Sequence, residues 1–340
     1  MTELLPTIWF LLIAVLWTGF LFLEGFDLGV GMLMKLFART DRERRVLLNT
    51  VGPVWDGNEV WLVTAIGATL AAFPLWYASL LSTLYLPFVL VLLALILRAV
   101  AFEYRGKMNS DSWRRRWDLA IFLGSFTSAA GLGAALALTT SGLPINENGD
   151  RVGGPFVWLT FDALLGAAAV VLFCLAHALA FLVLKTDGPI RERARRALIK
   201  LLPVAVVPLL AWAAKVYLAE GTGWAGLALL LAVAAAAASW FAERSSRDGW
   251  GFIWLGGTLA ASLACIFGSA YPVVLPSTLN DAFSLTVDNA ASSPYTLGLM
   301  SIIAAFGVPL VLVYQGWTYW VFRKRVTEQS IPEAHTVSPL

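Results

Sequence analysis

Along most of this chain apolar residues do not alternate with polar ones; they run in long blocks. A membrane-spanning helix needs about 20 mainly apolar residues. Nine blocks reach that length, at roughly 6–34, 51–73, 77–102, 118–141, 156–184, 197–219, 224–242, 250–275 and 296–322. The seventh is the shortest and is rich in alanine. The connections are short, and the longest is the polar stretch around Pro276–Pro294. The pattern predicts an all-α integral membrane protein with nine transmembrane helices. It forms a single polytopic domain over residues 1–325, followed by a polar tail over 326–340.

Lysine and arginine orient those helices, because cytoplasmic loops carry the excess of both. The first connection holds Lys35, Arg39, Arg42, Arg44 and Arg45, and the third holds Arg105, Lys107 and Arg114 to Arg116. The fifth holds Lys185, Arg191, Arg193, Arg195, Arg196 and Lys200. Arg244 and Arg247 lie in the seventh, and Arg323, Lys324 and Arg325 open the tail. Thus 21 of the 24 basic residues fall on alternate connections, while the opposite ones hold Arg151, with Lys215 near their border. The N-terminus is expected outside and the C-terminus in the cytoplasm, which requires an odd number of spans. An anionic-lipid or nucleic-acid role for the basic loops is the competing reading, but topology accounts for them.

Composition agrees with a membrane class. The chain of 340 residues is 59% apolar and 14% charged, with a mean hydropathy of +0.75, against about 25% charged residues in soluble domains. The net charge of +2 and the lack of a basic stripe with interleaved aromatics set nucleic acid aside. Cys174 and Cys265 both lie in apolar blocks and imply neither a disulfide framework nor a metal site. No basic segment or small-residue cleavage site marks the N-terminus, so the first block reads as a retained span.

Charges within spans are costly and point to function. Here they gather in the first three blocks. Counting inward at 1.5 Å per residue, Asp56 lies about 8 Å from the cytoplasmic face, Asp27 and Glu59 about 12 Å and Glu24 about 16 Å. Glu103 sits at the boundary, and Arg98 lies about 9 Å in. Carboxylates at graded depths suit a proton path; helix pairing, with Arg98 neutralising one of them, is the structural alternative. Arg98 and Glu103 are five residues apart and do not share a helix face, so Arg98 is expected to pair with a carboxylate on another span. Elsewhere Asp118, Asp162 and Lys215 sit near span ends.

Two segments stand out. Gly25 and Gly29 make a small-xxx-small pair that lets helices approach closely. Gly29-Val30-Gly31 follows no strand and is not a nucleotide loop. The run Gly52-Pro53-Val54-Trp55-Asp56-Gly57-Asn58-Glu59-Val60-Trp61 places proline in a first turn, where it is tolerated. It also places Asp56 and Glu59 on one helix face, with Trp55 and Trp61 suited to an interface and a packed face and Asn58 as supporting packing. Only His177 and His335 supply imidazole, and His335 lies in the polar tail. His177, in the fifth block with Cys174 and Asp162, reads as a satisfied interior histidine rather than a heme ligand. Several hemes held by this chain's own histidines are excluded by count.

These segments, together with Arg98 to Arg105 and its Phe-Glu-Tyr-Arg ending, Trp113–Asp118, Leu275-Pro276-Ser277-Thr278 and Leu285-Thr286, resemble subunit II of the cytochrome bd oxidase family over about residues 8–325. The resemblance implies two four-helix bundles plus one peripheral helix. It implies a heme-bearing partner, subunit I, with two b-type hemes and one d-type heme, and room for a small single-span subunit. Quinol and dioxygen are then the substrates of the complex. Dioxygen is reduced to water without pumping, with protons drawn from the cytoplasm. This chain would be heme-free and not catalytic alone, ligating no metal, with a structural quinone as its one candidate cofactor. Residues matching Asp56 and Glu103 are assigned to the proton path. Glu24 and Glu103 stand where a better-known member has Asp, and Glu59 where it has Gln. A proton-coupled secondary transporter is the alternative, although such proteins show matching broken helices in both halves. A pure scaffold for a heme-bearing partner is the third reading.

Overall fold

The computed structural model describes residues 2–331 and is helical almost throughout. Helix α1 (Leu5–Leu36) is followed by a short amphipathic α2 (Asp41–Val51), then α3 (Trp55–Ala72), α4 (Pro74–Thr83), α5 (Tyr85–Tyr104) and α6 (Asp111–Ser141). The second half holds α7 (Phe161–Lys185), α8 (Gly188–Ala205), α9 (Val207–Glu220), α10 (Gly223–Arg244) and α11 (Asp248–Ala270). A small antiparallel pair, β1 (Val273–Leu275) and β2 (Leu285–Thr286), precedes α12 (Pro294–Val321).

Local chemistry sets several boundaries. Thr40 caps α2 by accepting from the Glu43 amide at 3.1 Å, while the Glu43 carboxylate accepts from the Arg39 amide at 2.6 Å. Two N-terminal donors are thus satisfied reciprocally, close to a capping box. Ser110 and Thr160 cap α6 and α7. Helix α8 gives way to α9 at Val206, between Pro203 and Pro208.

Among the described residues, eight helices are long and apolar enough to span a membrane, α8 and α9 counting as one. The count reaches nine if α3 and α4, bent by 118°, form one span. The expected third block, 77–102, therefore divides: its first part belongs to α4, and the span begins at Tyr85. Proline explains the break. Pro74 has no amide hydrogen, and Phe73 before it leaves the helical region at φ −134° and ψ 70°. The expected second block starts at Val51, whereas that residue ends α2 and α3 begins at Trp55. The eighth block ends earlier than expected, because residues 273–275 form β1. The arginines of the fifth connection lie on the first turns of α8, a helix that begins well before its apolar block.

Helix α1 runs through the middle, packed on α3, α6, α7 and α11. Helix α5 packs on α6, α7 on α8 and α9, and α10 on α11. Where α1 crosses α7, a Cβ at Gly29 would stand 2.0 Å from the Cys174 carbonyl oxygen, so only glycine fits. At Gly25 the nearest atom is 3.7 Å away, ordinary contact, so the close approach is set by Gly29. Helix α12 touches α1 and α3, yet Leu297 is its one buried residue.

The end that carries the basic loops is tied by ion pairs. Arg105 reaches Asp118 at 2.5 Å and Asp41 at 2.6 Å, Arg193 reaches Glu43 at 2.7 Å, and Arg191 and Arg195 each reach Asp248 at 2.5 Å. At the opposite end the loop after α6 locks onto the segment after β1. Leu143 donates to the Pro276 carbonyl and accepts from the Thr278 amide, both at 3.0 Å. After α12 the chain folds back, with the Val326 amide donating to the Lys185 carbonyl at 2.7 Å and Ile331 buried. The rest of the predicted tail, with His335, lies outside the described residues.

Candidate functional site

A guanidinium sits in the apolar interior. Arg98, on α5, is fully buried, and its Nη1 lies 2.5 Å from Oε1 of Glu24 on α1, also fully buried. The expected inter-span partner of Arg98 is thus Glu24. The guanidinium also lies over the Phe102 ring, 4.9 Å from its centroid. Gly124 on α6 makes room for it: a Cβ there would come within 2.8 Å of the Arg98 Cβ.

One turn along α1, buried Asp27 accepts from Nδ2 of Asn58 on α3 at 2.7 Å. Asn58 is itself fully buried, and its Oδ1 accepts from Gln315 Nε2 at 3.0 Å and from the Tyr319 hydroxyl at 2.8 Å, both on α12. Gln315 Oε1 in turn accepts from the Trp61 indole at 2.7 Å. Four helices therefore meet at two carboxylates and one guanidinium. Both oxygens of Glu24, Oδ1 of Asp27 and all three guanidinium nitrogens of Arg98 lack a well-aligned hydrogen-bond partner among the described residues. The electroneutral form of the three groups carries one proton on the two carboxyls. Leaving a buried charge uncompensated costs several kcal/mol.

Glu59 is half-buried and within electrostatic reach of both Arg98 and Asp56. Asp56 and Glu103 are exposed, and neither side chain makes a hydrogen bond or ion pair among the described residues. Asn58 fixes the depth of α3, because it bonds Asp27, nine residues before the end of α1, hence about 13 Å inward. Asp56, two residues earlier, is then about 10 Å in. Trp55 packs edge-to-face on Phe102 at 5.2 Å, joining α3 to α5 at this level.

Sequence reasoning missed the α12 contribution, although Gln315 is a polar side chain inside an apolar block and could have been flagged as such. It also missed Glu243, buried near the end of α10 with both oxygens free of hydrogen bonds among the described residues. His177 fits the interior reading. Its Nε2 lies 2.9 Å from the Phe22 carbonyl, and its ring stacks on Phe252 and Phe173 at 4.7 and 5.0 Å. Among the described residues no three His, Cys, Asp or Glu side chains gather at metal-binding distance.

The fold and this cluster define the class: a polytopic, all-α membrane protein with ionisable groups held at membrane depth. The family model described as cytochrome bd terminal oxidase subunit II matches residues 5–322. The chain is 43% identical over 331 residues to a Bacillus subtilis protein named cytochrome bd ubiquinol oxidase subunit 2, covering 96% of this chain and 98% of that one. It is 32% identical to cytochrome bd-I ubiquinol oxidase subunit 2 of Escherichia coli K12, with 97% of each chain covered. In fold it is similar to a chain of the bd oxidase structure from Geobacillus thermodenitrificans, with a TM-score of 0.73 and 20% identity, covering 94% of this chain and 99% of that one. The chain belongs to the cytochrome bd terminal oxidase subunit II family.

Proposed function

We propose that this chain is the heme-free second subunit of a cytochrome bd-type quinol:dioxygen oxidoreductase in the bacterial cytoplasmic membrane. It scaffolds the heme-bearing subunit I and carries protons from the cytoplasm toward the dioxygen-reduction site. The observation that carries the proton role is the buried group of Glu24, Asp27, Arg98 and Asn58, with Glu59 and Asp56 leading outward from it. Family membership sets the transporter reading aside.

Arg98 holds Glu24 in place, and Asn58 holds one oxygen of Asp27 while the other stays free. Neither carboxyl is fully committed to a structural bond, so each can accept a proton and pass it to a bridging water. Asp56 and Glu103 are exposed on the isolated chain, Asp56 at a depth where a charge facing lipid is costly. Asp56 therefore faces subunit I, and the path from Glu103 at the boundary runs along that interface. The carboxylates matched by the family's assignment are the outer relay, and Glu59 links Asp56 to the buried pair.

In this reading α3 and α4 form one bent span, giving nine. Helices α1, α3–α4, α5 and α6 form one four-helix bundle, α7, α8–α9, α10 and α11 the second, and α12 is peripheral. The N-terminus is outside and residues 326–340 are cytoplasmic. An apolar cavity of about 920 Å³ between α1, α11 and α12, with Gln315 and Tyr319 at its wall, fits an isoprenoid quinone as a structural element.

The test is Asp56→Asn in the assembled oxidase, which keeps the shape but cannot carry a proton. Heme content per complex should be unchanged while dioxygen uptake slows at least about tenfold, ~1.4 kcal/mol of barrier. Full turnover in a fully assembled variant would end the proton role of Asp56. Because Arg98 is paired with Glu24 and not with Asp56, assembly should survive.

A further inference from the structure

Two cavities open side by side where the inner end of α12 meets α1, α2 and α7. One, of about 320 Å³, is lined by Lys185, Lys324 and Arg325 with Asn49 and Thr50. The other, of about 470 Å³, has Arg323 at its edge and walls of Phe26, Phe181, Leu184 and Phe252. They share Thr50, Lys185 and Phe322, so they form one site with a cationic mouth and an apolar floor. No carboxylate lines either cavity. Arg44, Arg105, Arg114, Arg191, Arg193 and Arg195 at this end are spent in ion pairs with Asp41, Glu43, Asp118 and Asp248. Lys185 donates to the carbonyls of Phe322 and Lys324, and Arg323 donates to the Trp320 carbonyl while lying over its ring at 4.4 Å. Lys185, Arg323 and Lys324 have no acidic partner among the described residues.

From this geometry we infer a binding site for one anionic phospholipid, its phosphate at the mouth formed by Lys185, Arg323 and Lys324 and an acyl chain in the phenylalanine-lined chamber. Basic pockets between helices on the cytoplasmic side recognise such headgroups. A free phosphate would leave the apolar chamber unfilled, and a neutral quinone would leave the cations unanswered. The site has a structural consequence. Helix α12 is held mainly by polar ties to α1 and α3, and Tyr319, which donates to Asn58 at 2.8 Å, is part of the chamber wall. The lipid would brace the helix that completes the hydrogen bonding around Asp27.

The test measures lipid retained by the purified oxidase complex after exhaustive detergent washing, by quantitative mass spectrometry. The wild type should keep about one phosphatidylglycerol per complex through exchange against phosphatidylcholine. The double variant Arg323→Gln/Lys324→Gln, both exposed side chains, should keep it about thirtyfold more weakly, two headgroup cations having gone. Leu184→Trp, which fills the chamber and alters no charge, should also lose it. Equal retention in the wild type and both variants, free replacement by phosphatidylcholine, or recovery of a quinone unaffected by Arg323→Gln/Lys324→Gln would each overturn the assignment. Heme content, read in parallel, shows that the variants assembled.

Discussion

In the first half of the body, α1 to α6, ionisable groups lie inside: Glu24, Asp27 and Arg98 are all fully buried amid apolar helices. In the second half, α7 to α11, they are kept to the ends. Arg191 and Arg195 pair with Asp248 and Arg193 with Glu43 of α2 at the basic end, and Lys215 pairs with Asp162 at the other. The middle of that half is filled by His177 and phenylalanines, apart from Glu243 near the basic end of α10. Both halves are built of helices long and apolar enough to span a membrane, so hydropathy alone does not locate the buried charges. The difference lies in what the charges are for. End pairs fasten helices at little desolvation cost, whereas a buried triad is expensive, which is why the proposed proton role is placed there.

The sharpest way to break that contrast is to remove the one buried cation. Arg98→Met leaves Glu24 and Asp27 without a counter-charge, which costs about 3–5 kcal/mol. Little assembled complex should be recovered from membranes, and heme content should fall with it. Arg98→Met combined with Glu24→Gln should restore most of the assembly, because one carboxylate then goes with the guanidinium. Failure of the double variant to recover anything would show that the triad is not a charge-balanced unit. The same double variant should remain slow in dioxygen uptake, since a proton-holding group is gone.

The triad was partly legible in the sequence. Charged letters inside apolar blocks stand out, and the five-residue spacing from Glu103 already turned Arg98 toward another helix. That Glu24 is the partner, with Asp27 passed to Asn58, depends on how α1 and α5 rotate, which hydropathy does not report. Gln315 and Tyr319 were hidden for another reason: they reach Asn58 from more than 250 residues away, and α12 looks like an ordinary span. The break at Phe73-Pro74 was written in the chain but is lost in a window long enough to detect a span. The basic end illustrates the opposite case. Its arginines were read as topology markers, and the structure adds that many are also fasteners.

A smaller effect separates the fasteners from the triad. Burial alone would raise the Glu43 carboxyl, but hydrogen bonds from Arg193 and the Arg39 amide hold it below its ordinary value. A carboxyl depressed in the folded state adds stability above its unfolded value, about 4.3, and loses it as pH falls through the folded value. Wild type should therefore melt higher than Glu43→Gln at pH 6, by a few degrees, with the gap closing below about pH 4. Thermal unfolding of the detergent-solubilised complex across that window reads this directly. A gap that widens in acid would reverse the sign and remove the pair as the source of stability. Turnover at neutral pH should be unchanged in this variant, unlike in Asp56→Asn.

The smallest effect is expected at His177, and it bears on the second half alone. The ring spends Nε2 on the Phe22 carbonyl at 2.9 Å and is enclosed by Phe22, Phe26, Phe173 and Phe252. Phenylalanine has nearly the same shape and would complete the aromatic stack, at the loss of one hydrogen bond worth about 1 kcal/mol. The Phe22 carbonyl would keep its place in the backbone ladder of α1, so no strongly orphaned acceptor is created. His177→Phe should therefore assemble, with the heme spectrum of the complex and its turnover both close to wild type. The isolated chain should carry no stoichiometric heme with or without the imidazole. A b-type spectrum in the isolated chain that disappears in His177→Phe would show that the second half also holds a redox group, and the contrast between the two halves would fail at its center.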